Sequence, residues 1–132
     1  MIVVIDVSGI IEILLHKEKD KKFKNILNES TQVIVPDLYV SELTNTIWKY
    51  FTAKKITENE SIQYIQDGIN LVTKFIDSKE IWQEALTEGI NNKHSIYDMF
   101  YMVTARRNSG ILLTNDSVLA GICKKNHIQV CF

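Results

Sequence analysis

Three short runs are apolar at every successive position: Ile2-Val3-Val4-Ile5, Val33-Ile34-Val35 and Ile111-Leu112-Leu113. A half-solvated strand would alternate apolar with polar residues. A short continuous apolar run instead reads as a strand buried on both faces. A fourth short strand is expected at Ile128 to Val130, and Phe75-Ile76 reads as a further short one. Helical spacing fills the segments between them. Ile10, Ile11, Ile13, Leu14 and Leu15 form one helix, for which Ser8 offers a cap, and Leu43, Ile47, Tyr50 and Phe51 give an apolar face to a helix from about 39 to 53. Thr57 and Glu60 form a capping box ahead of Ile62, Ile65, Ile69 and Val72. Further helices are predicted from about 79 to 90, from a cap at Ser95 to Arg107 with Asn108-Ser109-Gly110 as its stop, and from Asp116 or Ser117 to about 125. Strands alternating with helices predict an α/β fold: a three-layer α/β/α sandwich around a central, mostly parallel sheet.

At 132 residues the chain has room for one core, and a single domain over 1–132 is expected. No apolar run approaches the ~20 residues of a membrane span. Met1 leads straight into the first strand without a basic leader, so a cytoplasmic location is expected. The net charge of -1 does not mark a polyanion binder, and attraction for one must come from a local basic patch or a bound cation. Cys123 and Cys131, with His127 between them, match no common zinc pattern and read as small thiols in a reducing compartment.

In open parallel sheets, sites form beyond the carboxyl ends of strands, where strand order reverses. Four acids lie at such positions. Asp6 follows the first strand, and Asp116 follows Ile111–Leu113 after Thr114 and Asn115. Glu42 lies early in the helix after Val33–Val35, and Asp98 in the first turn of the helix after Ser95. Taken singly, Asp6 also reads as an Asx-turn, Asp116 as an N-cap and Glu42 as an ordinary helical acid. Asp98 is the most informative. The run Ile96 to Val103 is apolar on nearly every face, and no basic residue follows Asp98 before Arg106. A carboxylate in such a helix is costly unless something pairs with it.

Four converging carboxylates repel one another unless a cation compensates, and all-oxygen ligation suits Mg²⁺ or Mn²⁺. Such a site can bind a phosphodiester and activate water for in-line hydrolysis without a covalent enzyme intermediate. His16, His94 and His127 flank no nucleophile, and no Gly-rich phosphate loop is present. A phosphoacceptor receiver domain would need paired acids after the first strand, yet Asp6 has no acidic neighbour before Glu12. A haloacid-type phosphatase would need an Asp where Ser8 stands.

The same residues resemble a known family. Ile5-Asp6-Val7-Ser8 resembles the first PIN-domain motif. Pro36-Asp37-Leu38 followed by Ser41-Glu42-Leu43-Thr44-Asn45 resembles the second, Ser95-Ile96-Tyr97-Asp98-Met99-Phe100-Tyr101 the third, and Leu113-Thr114-Asn115-Asp116 the fourth. The likeness spans essentially the whole chain, and the size is similar to that of VapC toxins of VapBC toxin–antitoxin pairs. Leu43-Thr44 and Met99-Phe100 depart from the small or β-branched residues usual at those places, without touching a carboxylate. The resemblance implies a Mg²⁺- or Mn²⁺-dependent endoribonuclease acting on RNA, usually a homodimer, held in check by an antitoxin. It implies that Asp6, Glu42, Asp98 and Asp116 are metal ligands or activate water, with Ser8, Asn45 and Thr114 as supporting polar residues. A PIN nuclease of RNA processing or decay that is not a toxin, and a non-catalytic PIN-like binding module, are the alternatives.

Two secondary features complete the reading. Lys17, Lys19, Lys21, Lys22 and Lys24 are candidates for tracking an RNA backbone, although Glu18 and Asp20 interleave with them as in a solvated loop. Trp48 lies off the apolar face of its helix and is expected to be exposed, where the helical pair after the second strand would offer a groove to an antitoxin helix or a second copy.

Overall fold

The computed structural model describes residues 1–132. Chain order is β1 (Ile2–Ile5), α1 (Val7–Leu14), α2 (Asp20–Glu29), β2 (Gln32–Pro36), α3 (Leu38–Thr52), α4 (Glu58–Asn70), β3 (Lys74–Ile76), α5 (Ser78–Asn92), α6 (Ile96–Arg107), β4 (Ile111–Leu113), α7 (Ser117–Lys125) and β5 (Val130–Cys131). The five strands form one sheet in the order β3-β2-β1-β4-β5, and every pairing is parallel. This is the expected three-layer α/β/α sandwich.

β1 is the centre of the sheet, with Val3, Val4 and Ile5 wholly buried. Its register sets Val4 beside Ile34 of β2 and Ile5 beside Leu113 of β4. From β1 the chain first builds outward through β2 and β3. It then returns to the other side of β1 for β4 and β5. Right-handed crossovers put the helices of these two halves on opposite faces. α6 packs across β1, β2 and β4 and carries α5 on its outer side. Arg106 binds Glu88 at 2.9 Å and Glu84 at 2.5 Å, and Arg107 reaches Glu84 at 2.6 Å, which fastens α6 to α5.

Element starts follow local chemistry. The capping box at Thr57 and Glu60 opens α4 as the spacing predicts. The cap of α1 differs from the expectation. Asp6, not Ser8, is the N-cap, and its carboxylate accepts from the Gly9 amide at 2.8 Å. Gly9 is required there, because a Cβ would stand 2.8 Å from the Leu113 carbonyl oxygen and 3.0 Å from Ile5 Cγ1. The helix start is thus pressed into the β1–β4 junction. Ser95 occupies the N-cap position of α6 but makes no capping hydrogen bond through its side chain. At the end of α6, Ser109 rather than Gly110 takes the left-handed conformation, with φ 50°. The charged stretch after His16 passes into α2 at Asp20, earlier than its solvated look suggests. The last strand pairs through Val130 and Cys131, because the register with Leu112 and Leu113 places the ladder there. Cys123 is buried and Cys131 half-buried, both as free thiols. Burial pushes the Cys123 thiol up to about 12. No helix is long and apolar enough to cross a membrane.

Candidate active site

Strand order reverses between β1 and β4, and this is where open parallel sheets form their sites. The Asp6 amide continues the β1–β4 ladder, donating to Leu113 at 3.2 Å. Asp6 therefore leaves the sheet beside the Thr114–Asp116 turn that leaves β4. A cleft of about 370 Å³ opens here, and all four predicted acids, Asp6, Glu42, Asp98 and Asp116, line it. Ser8, Glu12, Lys17, Thr46, Tyr50, Tyr101 and Asn115 line it as well.

Each acid is held by at least one hydrogen bond from the protein. Asp6 is the most enclosed, at 5% exposure. One Asp6 oxygen accepts from Ser8 Oγ at 2.7 Å and from the Gly9 amide, and the other from Thr114 Oγ1 at 2.5 Å. Ser8 Oγ also accepts from the Asn115 amide at 2.8 Å, and Thr114 Oγ1 from the Asp116 amide at 3.0 Å. These two hydroxyls tie the β1 and β4 turns together through Asp6. Asp116 caps α7, one oxygen accepting from the Val118 and Leu119 amides at 2.9 and 3.1 Å. Glu42 Oε1 accepts from the Tyr101 hydroxyl at 2.7 Å. Asp98 Oδ2 lies 2.7 Å from His94 Nε2.

His94 supplies the partner that Asp98 lacks downstream. It stands one helical turn upstream, just before α6, because Lys93 closes α5 in the left-handed conformation at φ 51° and turns the chain. The start of α6 is also less enclosed than its composition implies, with Tyr97 64% exposed. Tyr101 is the other functional neighbour not singled out from the sequence. Its signal was present, three residues after Asp98 in the third motif, one turn on and on the same face. Asn45 does not join the cleft. It is exposed, while Thr46, one turn beyond Glu42, takes the lining position.

The electrostatics agree with crowded acids. Burial raises Asp6 from 3.8 to about 6, helped by the charge of Asp98 and opposed by the bonds from Thr114, Ser8 and Gly9. Glu42 is raised by burial and by the charges of Asp98 and Asp6, against the hydrogen bond from Tyr101. The Tyr101 phenol is raised far above its ordinary range, by burial first and by Glu42 next, so it remains a proton donor to that carboxylate. Carboxylates held against their own repulsion favour a cation. The donor set fits a hard divalent ion, since it is all oxygen. Glu42, Asp98 and Asp116 each keep one oxygen free of protein hydrogen bonds. As they stand, no three of these side chains form a ready metal cluster, so binding an ion requires their free oxygens to rotate toward a common point.

The PIN domain family model matches residues 3–125. The chain belongs to the PIN domain family. Ribonuclease VapC3 of Pyrobaculum aerophilum is 23% identical to this PIN domain over 122 residues, covering 91% of this chain and 93% of the relative. A solved structure from the same organism superposes with a TM-score of 0.74 at 16% identity, over 92% of this chain and 87% of that one. VapBC2 of Rickettsia felis, solved on a DNA fragment from its promoter, gives 0.66 at 14% identity over 99% and 98% of the two chains. Mycobacterium tuberculosis VapC20, described as a toxin that cleaves the sarcin–ricin loop, gives 0.68 at 10% identity over 90% and 93%. At these identities the superpositions establish a shared PIN fold.

Proposed function

We propose that this single PIN domain, residues 1–132, is an endoribonuclease dependent on Mg²⁺ or Mn²⁺ and the toxin of a VapBC-type toxin–antitoxin pair. The observation that carries the reading is the meeting of four carboxylates, from the β1–α1 junction, α3, α6 and the β4–α7 turn, in one cleft at the point where strand order reverses. The likeness to a ribonuclease toxin over nearly the full length of both chains supports it.

In this reading Asp6, Glu42, Asp98 and Asp116 hold the ion, and Ser8 and Thr114 fix the Asp6 carboxylate. When bound, the ion supplies Lewis-acid polarisation of the phosphodiester and a more acidic water. Tyr101 orients Glu42, and His94 orients Asp98. Burial raises Asp6 to about 6 without an ion, and a bound cation would offset that cost by favouring the ionised carboxylate. A second copy and a cognate antitoxin are the proposed protein partners. Trp48 is 56% exposed on α3, with Phe51 and Ile62 also exposed on the α3–α4 pair, and this surface is the proposed seat for one of them.

The test is cleavage of RNA by the purified protein with Mg²⁺ or Mn²⁺. Activity is expected to vanish in EDTA and in Asp98→Asn. Cleavage that survives both refutes a metal–carboxylate mechanism.

A further inference from the structure

Five acids line the cleft, and a single basic side chain joins them: Lys17. Its place is built rather than incidental. His16 adopts the left-handed conformation at φ 51°, and the Lys17 amide donates to the Glu12 carbonyl at 2.8 Å. The chain thereby doubles back over the end of α1. The Lys17 ammonium then donates to the Tyr50 hydroxyl of α3 at 2.9 Å and lies 5.4 Å from the centre of that ring.

Three of the other four lysines of the basic stretch are engaged elsewhere, and the fourth, Lys21, is exposed and does not line the cleft. Lys24 pairs with Asp20 at 2.8 Å. Lys22 donates to the Phe132 carbonyl at 2.6 Å, and Lys19 sits over the Phe132 ring at 3.2 Å. Those contacts hold the start of α2 and tie it to Phe132. Lys17 alone brings its charge to the acids, and its hydrogen-bond partner is a neutral phenol. The hydrogen bond that Lys17 donates to Tyr50 raises the ammonium above its ordinary range, so it stays cationic. A nucleic-acid strand carries a charge at every nucleotide. Four acids that engage one phosphodiester through a cation repel its neighbours, and a fixed ammonium at the rim offsets that repulsion. Lysine suits a phosphate as a compact point charge.

We propose that Lys17, steadied by Tyr50, contacts the RNA backbone at a phosphate adjacent to the one held at Asp6, Glu42, Asp98 and Asp116. This rests on the ribonuclease reading above. The test is cleavage of a mixed-sequence, single-stranded fluorophore–quencher RNA with Mn²⁺, followed across salt from ~50 to ~200 mM. Lys17→Gln is expected to raise KM several-fold with kcat nearly unchanged, and to make the fall of log kcat/KM with log salt shallower by about 0.7, the value of one single-strand phosphate contact. Lys17→Arg restores the slope. Tyr50→Phe keeps the charge but frees it, so KM rises while the slope stays. Thermal unfolding of each variant near the parent midpoint shows that the fold is intact, as a surface side chain predicts. A Lys17→Gln protein with the parent KM and salt slope, or with a loss confined to kcat, overturns this inference and leaves the ribonuclease reading standing. A parent protein that cuts no RNA with Mn²⁺ overturns both.

Discussion

Replacing Asp6 with Asn separates the cost of the acid cleft from its use. Asp6 is 5% exposed, and its proton affinity rises from the ordinary 3.8 to about 6. Two units correspond to roughly 3 kcal/mol. The native protein keeps the Asp6 proton up to pH near 6, whereas the unfolded chain releases it near 3.8. The folded state therefore binds more protons in that window, and stability falls as pH rises through it. Above pH 6 the whole cost is present. Asn retains the oxygen that accepts from Gly9 and Ser8 and carries no charge, but it weakens the contact with Thr114. The net expectation is that Asp6→Asn is about 1–3 kcal/mol more stable than the parent at pH ~7.5 in EDTA. Urea melts from pH ~4 to ~8 in EDTA measure this, and the variant should show a flatter stability profile across the window. Mn²⁺ should narrow or reverse the difference. An ion at 100 times its Kd adds about 2.7 kcal/mol to the parent, while the variant lacks a ligand and gains less. The variant should also be inactive on RNA. Equal or lower stability of Asp6→Asn in EDTA, with the pH profile unchanged, would refute the claim that this carboxylate is held ionised at the expense of the fold.

Other expectations follow from single contacts. Gly9→Ala forces a methyl against the Leu113 carbonyl oxygen at 2.8 Å, and should cost about 1–3 kcal/mol in urea unfolding while also reducing activity by displacing Asp6. Lys93→Gly removes a side chain from a left-handed position with φ 51° and ψ 48°, and should raise stability by up to about 1 kcal/mol, seen as a higher thermal midpoint. Trp48→Ala should leave the unfolding midpoint nearly unchanged, since the ring is 56% exposed, yet weaken either self-association or capture of a co-expressed cognate antitoxin, and a variant unchanged in both would sink the idea.

The sandwich was legible because its strands are short, continuous apolar runs that read as buried on both faces. Ile2–Ile5, Val33–Val35 and Ile111–Leu113 each fall within an observed strand. The placement of the four acids followed from the same strand ends. What remained hidden depends on backbone turns and on pairing in space. His94 was unreadable as the partner of Asp98 because the contact needs Lys93 in a left-handed turn, a conformation that nothing in a lysine announces. Ser8 looked like a cap because its hydroxyl precedes an apolar helix, but the deeper position of Asp6 claimed the Gly9 amide and turned Ser8 into a donor to Asp6. The division of labour among the lysines was equally invisible, since Phe132, which engages two of them, lies 110 residues on from Lys22 in sequence.

Asp6 and Asp116 each hold the first turn of a helix with the same carboxylate that faces the cleft. This double duty makes the type of substitution decide what an inactive variant means. Alanine at either position deletes an N-cap worth about 0.5–2 kcal/mol along with the charge, so a silent alanine variant reports misfolding and lost chemistry together. Asparagine leaves an oxygen for the helix amides and removes the charge, at Asp6 with a weaker contact to Thr114. For these two residues, catalytic failure is interpretable in the amide and ambiguous in the alanine.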